Sequence, residues 1–205
     1  GNFDPTSQVE KLSRRERLRR ASALLDDAGF AVVYGRRINP LTGTPFEITY
    51  VTAHKPTADR LDPYRKALEA LGVTLNMSVH DIIVGQRLIL DHEYDLTWLA
   101  WQAAFPPGAQ ENYYWHSDQA DQQGYGLAGL QSADADFLIE TMQSARDLDT
   151  IKASTKLLDR LLRSGHYTIP LWQSNDIWLV HDERLAFPEN SGSSDPIRTW
   201  WWKSE

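Results

Sequence analysis

The chain has 205 residues, 41% of them hydrophobic and 24% charged, with a net charge of −7 and no cysteine. That length buries a sizeable core in one domain or two small ones. The acidic balance excludes a general nucleic-acid binder, which needs a basic face, and the missing cysteines exclude disulfides and thiolate chemistry.

Taken in chain order, the first segment opens GNFDPTSQVEKL with no initiator Met. It reads as the start of an excised piece, so the lack of a targeting sequence says nothing of the parent. Ser13 and Glu16 then form a capping box for a helix whose apolar stripe is Leu18, Ala21, Leu24, Leu25 and Ala28, with Gly29 past its end. The RRERLRR run lies between stripe positions and makes a solvated outer face, with Asp26 and Asp27 also on the outer side. Phe30 to Tyr34 predicts a short strand, NPLTGTP a turn, and the alternation of Phe46, Ile48 and Tyr50 a half-buried strand. Thr57 caps a second helix carrying Leu61, Tyr64, Leu68 and Leu71 and ended by Gly72. Val73, Leu75, Met77 and Val79 alternate in a further strand, a short helix follows around 81–90, and a strand spans 94–101. Strand, helix, strand, helix, strand is the order of crossover units in an α/β layer.

A long irregular loop is expected next, then helices near 134–146, capped by Asp134, and 148–164, closed by Gly165. YTIPLW and DIWLVH predict two more strands, and Pro188 to Pro196 a polar linker. The chain ends RTWWWKSE. Adjacent residues of a strand face opposite ways, so one small domain does not bury all three tryptophans.

Chemistry is hard to find. His54, His80, His92, His116, His166 and His181 are scattered without metal-ligand spacing, and they read as structural or surface residues. The acidic pairs read as caps and surface charge, GYGLAG lacks the spacing of a nucleotide loop, and no nucleophile elbow is present. No catalytic residue, metal site or cofactor is expected, which favours binding over catalysis. The aromatic residues point the same way. Trp98, Trp101, Phe105, Tyr113, Tyr114, Trp115 and Tyr125 crowd one segment, and Trp172 and Trp178 follow later. Such side chains offer a broad apolar face with a polar handle, and ligands of open α/β sheets sit outside the carboxyl ends of the strands. Trp98 reads as core. The candidate ligand-binding residues are Trp101, Gln102, Phe105, Trp115, Tyr125 and Trp172.

One family carries these features in the same order. YDLTWLAWQAAFPPGAQENYYWHSDQADQQGYGLAGLQSADADFLIETM resembles the C-terminal-lobe segment of family 5 extracellular solute-binding proteins, the oligopeptide- and dipeptide-binding components of ABC importers. STKLLDRLLRSGHYTIPLWQS is similar to their helix and IP-x-W strand, RTWWWKSE to their closing segment, and the run from RRERLRR to PFEITY to the section with N-x-x-T-G-x-P-F. The nearest branch is the one serving microcin-like and oligopeptide uptake.

The resemblance implies a periplasmic-binding-protein type II lobe, a mixed β-sheet flanked by helices. Residues 1–205 would be most of the C-terminal lobe of a two-lobe receptor, with 187–205 returning toward the hinge and first lobe. Its partners would be a small peptide or peptide-like ligand, the permease subunits in the membrane and the N-terminal lobe of the same parent. Its location would be periplasmic or extracellular, with or without a membrane anchor. One departure stands out: classical oligopeptide binders of the family place an Asp soon after the Trp of this strand to hold the peptide's amino terminus, whereas Trp101 is followed by Gln102, Ala103, Ala104 and Phe105, as in the nearest branch, which also lacks that Asp. Gln102 suits an amide or a sugar hydroxyl equally. Three alternatives stay open: a carbohydrate receptor of an importer, a non-catalytic accessory domain of a polysaccharide-acting enzyme, and a purely structural interaction module with the terminal tryptophans as its interface. A lone lobe is expected to bind weakly.

Overall fold

The computed structural model of the chain describes residues 12–100, 107–171, 179–188 and 199–203. They fall into two compact units, residues 1–168 and 169–205.

The larger unit opens with helix α1, Arg14–Asp27, and the predicted capping box is complete: Ser13 Oγ accepts from Glu16 N and Glu16 reaches back to Ser13 N. None of its residues is fully buried. Leu18, Ala21 and Leu25 are half-buried, and a buried cation ties the helix to the chain beneath it. β1 (Val32–Val33) and β2 (Arg36–Arg37) form a tight antiparallel hairpin, turning through Tyr34 and Gly35, both at positive φ. The hairpin presents Arg37, which is 2% exposed. Its guanidinium donates to Phe30 O at 2.6 Å, Ser22 Oγ at 2.6 Å and Leu71 O at 3.1 Å, and pairs with Asp26. Asp26, read as outer-face charge, is thus the counter-ion of a buried arginine. A buried cation is tolerated only when its donors are satisfied, and here each nitrogen has a partner.

β3 (Glu47–Thr52), β4 (Thr74–Val79) and β5 (Leu96–Thr97) form a three-stranded sheet in the order β4-β3-β5, every pair parallel. The mixed sheet expected from the family is, among the described residues, a parallel one, because each strand is joined to the next by helices; the antiparallel pairs stand apart from it. As the central strand, β3 is buried on both faces from Tyr50 to Thr52, not half-buried as its alternation predicts. The β3–β4 crossover holds two helices rather than one, α2 (Lys55–Arg60) and α3 (Asp62–Glu69), with a proline near the start of each. His54, not Thr57, occupies the cap position of α2. Gly72 ends the crossover at φ +82, where an added Cβ would stand 3.0 Å from Arg37 N and Gly35 O, so only glycine lets the chain pass the hairpin. Tyr50, Ala58, Leu61 and Leu75 form the buried cluster of this layer, with Trp98 half-buried against it.

α4 (Ile82–Leu90) crosses to β5. A Cβ at Gly85 would lie 2.8 Å from Ala53 Cβ, so a glycine is what seats α4 directly on the end of β3. Of the strand expected over 94–101, the described residues pair only at Leu96 and Thr97, and Trp101 lies outside the described residues.

Within the expected irregular loop, residues 109–115 are helical instead: α5, Ala109–Trp115. A 3₁₀ turn at Ser117–Gln119 leads to α6 (Ala133–Ser144) and α7 (Leu148–Ser164). The cap of α6 is Ser132, accepting from Ala135 N, and not Asp134; Asp147 caps α7. α6 packs on α7 and α5 on α6. Trp115, Leu130, Ala135, Ile139, Met142 and Leu158 form a second buried cluster between them.

In the smaller unit the pairing strands are β6 (Leu185–Ala186) and β7 (Trp201–Trp202), antiparallel. No strand forms over 167–171 or 179–181, where YTIPLW and DIWLVH predict them, and the rest of both segments lies outside the described residues. Trp200 stacks on Phe187, while Trp201 and Trp202 remain exposed, so the three tryptophans are not buried together. No helix among the described residues is long and apolar enough to cross a membrane.

Candidate functional site at the carboxyl edge of the sheet

Because β3, β4 and β5 run parallel, their carboxyl ends meet on one edge, and each is followed within two residues by a side chain able to hydrogen-bond or stack. After β3 comes His54. Its backbone N–H donates to Thr52 Oγ1 at 3.0 Å, and its Nδ1 lies 2.7 Å from Thr57 Oγ1. After β4 come His80 and Asp81. His80 N donates to Thr52 O at 3.0 Å, its Nε2 meets Ser78 Oγ at 2.7 Å, and Asp81 caps α4 through Ile83 N and Val84 N. After β5 comes Trp98, whose ring lies 5.6 Å from that of His54 at an interplanar angle of 15°. Thr97 Oγ1 donates to Val51 O at 2.9 Å, so threonines fix the ends of both strands. Hydrogen bonds of this kind hold binding groups in place before a ligand arrives. Val79, Ile82 and Ile83 leave an exposed apolar margin beside these polar groups.

A second aromatic group lies on and beside α5. Tyr113 and Tyr125 rings are 5.3 Å apart, and Tyr114 meets both edge-on at 6.1 and 6.2 Å. Tyr94 ties the start of β5 to the following loop, donating to Leu127 O at 2.6 Å; burial pushes its phenol up to about 12. Near the start of α6, Asp136 accepts from Ser117 N at 2.8 Å and stands 3.9 Å from His116 Nδ1, with Asp118 and Glu140 also close to that ring. Among the described residues no group of three or more His, Asp or Glu is placed to hold a metal ion.

Of the residues expected to bind ligand, Trp101, Gln102, Phe105 and Trp172 lie outside the described residues. Trp115 is 7% exposed within the helical cluster. Tyr125 is 40% exposed and grouped with Tyr113 and Tyr114. His54 and His80 escape a search for metal-ligand spacing. Their common signal is position: each stands within two residues of a strand's end, and parallel strands bring such positions together.

No protein-family model matches the chain. An uncharacterised protein of Sinorhizobium fredii, y4wM, is 33% identical over 195 residues, which are 93% of this chain and 29% of that protein. The chain spans less than a third of the length of the curated relatives it matches. Among solved structures it is similar to an oligopeptide ABC transporter periplasmic oligopeptide-binding protein of Thermotoga maritima holding mannohexaose (TM-score 0.66, 19% identity, 76% of this chain and 30% of that one). It is also similar to the oligopeptide-binding protein AppA of Bacillus subtilis in complex with a nonapeptide (TM-score 0.64, 16% identity, 91% of this chain and 37% of that one). The chain thus has the type II periplasmic-binding-protein fold seen in part of these longer oligopeptide-binding proteins.

Proposed function

We propose that this chain is the C-terminal lobe of a solute receptor for an ABC importer, nearest to the branch serving microcin-like and oligopeptide uptake. The receptor captures an oligopeptide or peptide-like solute outside the cytoplasmic membrane and delivers it to the permease subunits. The observation that carries this reading is the carboxyl edge of the parallel sheet. Donors and rings follow all three strand ends there, in a fold whose solved examples include one holding a nonapeptide. Trp101, Gln102, Phe105, Tyr125 and Trp172 are the proposed ligand contacts; Trp115 is buried in the helical cluster. The first lobe closes over the ligand and 187–205 returns toward the hinge. Ligand shifts the receptor to the closed state by its differential affinity for that state, without covalent chemistry. The lobe alone binds weakly, since half of the enclosing surface is supplied by its partner lobe.

Thermal unfolding of the full-length receptor against short peptides, with and without Trp101→Ala, tests this reading. A peptide at about a hundred times its dissociation constant adds roughly 2.7 kcal/mol of stability, and the variant loses that gain. No response to any peptide would contradict the peptide reading. Carbohydrate is the second reading, favoured by mannohexaose in the Thermotoga protein and by the paired rings of Tyr113 and Tyr125. A response to oligosaccharides alone would select it.

A further inference from the structure

We propose that His54 and Trp98 form a subsite for a carbonyl or carboxylate oxygen of the ligand, with His54 Nε2–H as donor and the indole as the wall beside it. This deepens the receptor reading and rests on it for the ligand's source.

The hydrogen-bond accounting fixes the direction. Thr57 is 1% exposed, and a buried hydroxyl needs an acceptor for its single proton. Among the described residues its hydroxyl has a single hydrogen-bond partner, side chain or backbone, which is His54 Nδ1 at 2.7 Å. Thr57 therefore donates to Nδ1, and the neutral imidazole carries its own proton on Nε2. The opposite tautomer would leave the Thr57 proton buried and unpaired, at a cost the observed geometry avoids. Nε2 has no protein partner among the described residues, and His54 itself is exposed.

The ring cannot easily turn away. Its backbone is pinned by Thr52 Oγ1, its Nδ1 by Thr57, and one of its faces by Trp98, which is itself packed on the Tyr50 cluster. A donor held on three sides at the carboxyl end of a central parallel strand loses little entropy when it meets an acceptor. The group it takes is an oxygen with lone pairs, carried by a peptide carboxylate or an amide carbonyl. A ligand ammonium is not accepted at Nε2–H.

Acetate and acetamide, titrated into the 205-residue chain, probe this subsite without knowledge of the natural ligand. Long-range proton–nitrogen spectra of the histidine side chains read the tautomer, and the Trp98 indole resonance, assigned with Trp98→Phe, reads binding. The expected result is His54 in the Nε2–H form and a saturable shift at Trp98. That binding weakens about tenfold or more in His54→Phe, which keeps a ring against Trp98 but no donor. His54→Gln, with an amide donor near the same place, recovers part of it. Saturation by acetate alone identifies a carboxylate, and saturation by acetamide as well identifies a carbonyl. An Nδ1–H tautomer, no saturation by either probe, or equal binding by the native chain and His54→Phe would overturn the proposal. Failure of these probes beside a positive peptide response in the full receptor would sink the subsite and leave the receptor reading intact. Probe binding without any peptide response would do the reverse.

Discussion

The larger unit has two hydrophobic clusters that finish in opposite ways. Around Ile139, helices α5, α6 and α7 close on one another, and the buried residues Trp115, Leu130, Ala135, Met142 and Leu158 are all apolar. Around Tyr50, the cluster is a layer under a sheet. At its carboxyl edge it gives way to buried threonines that hold two histidines, and to a tryptophan; the histidine and tryptophan rings are not fully covered. A closed cluster gains from every buried methylene. An edge that ends in satisfied but accessible polar groups gives up some of that burial and gains a place for a ligand. The contrast divides the unit into a part that mainly stabilises and a part that mainly recognises, and single substitutions can test the division.

The largest effect is expected at Ile139, fully buried in the helical cluster. Ile139→Ala should remove about 4 kcal/mol of stability in denaturant unfolding, while Trp98 and His54 resonances stay in place. Loss of those resonances at equal denaturant would show that the two parts are not separable. Arg37→Met comes next. It strips Asp26, Ser22, Phe30 O and Leu71 O of their shared donor, for a loss of about 3 kcal/mol. Hydrogen exchange should then quicken first in residues 14–27, since α1 has no buried side chain of its own. An unchanged exchange pattern in α1 would refute the anchoring role of Arg37.

His54→Phe should cost only about 1 kcal/mol, the price of leaving the buried Thr57 hydroxyl without an acceptor. Its effect on acetate binding is far larger in proportion, which is the signature of a recognition residue. The smallest effect concerns pH. Asp147 is held below its usual range by Thr150, chiefly through the backbone N–H, Asp62 by Lys66 and Arg65, and Glu16 by Ser13. Depressed folded-state values stabilise the fold above the unfolded carboxylate pKa near 4, and that contribution fades as pH falls through the folded values. All three groups are exposed, so the slope is shallow. Asp147→Asn keeps a capping oxygen and should flatten it slightly below about pH 4; a steeper slope would place the acid sensitivity elsewhere.

Several elements of this fold are legible in the residues alone. The capping box of α1, the strand at β4 and the glycine at 72 each encode structure through local chemistry and form as expected, although Val79, read as part of the apolar face of β4, is exposed. What the residues hide is decided by tertiary contact. Arg37 looks like surface charge until the hairpin carries it under α1. α5 is only seven residues long, and its aromatic run masks any helical period. The crossover after β3 reads as one helix from the spacing of Leu61, Tyr64, Leu68 and Leu71, but Pro63 belongs in a first turn and marks the start of a second helix. For the candidate site, the expectation that ligand meets the carboxyl end of the strands follows from topology. Which side chains stand there does not: His54, His80 and Trp98 are far apart in sequence and adjacent only because the strands are parallel and ordered β4-β3-β5.

The most direct test of the account is a map of ligand contact on the chain itself. Isotope-labelled protein is titrated with a mixture of short peptides, and in a parallel experiment with mannohexaose, while backbone and side-chain resonances are followed. The account predicts weak, saturable shifts that cluster at His54, His80 and Trp98 and extend to Tyr125, with the Ile139 cluster unmoved. Saturable shifts confined to Trp201 and Trp202, or spread through the helical cluster instead, would contradict it.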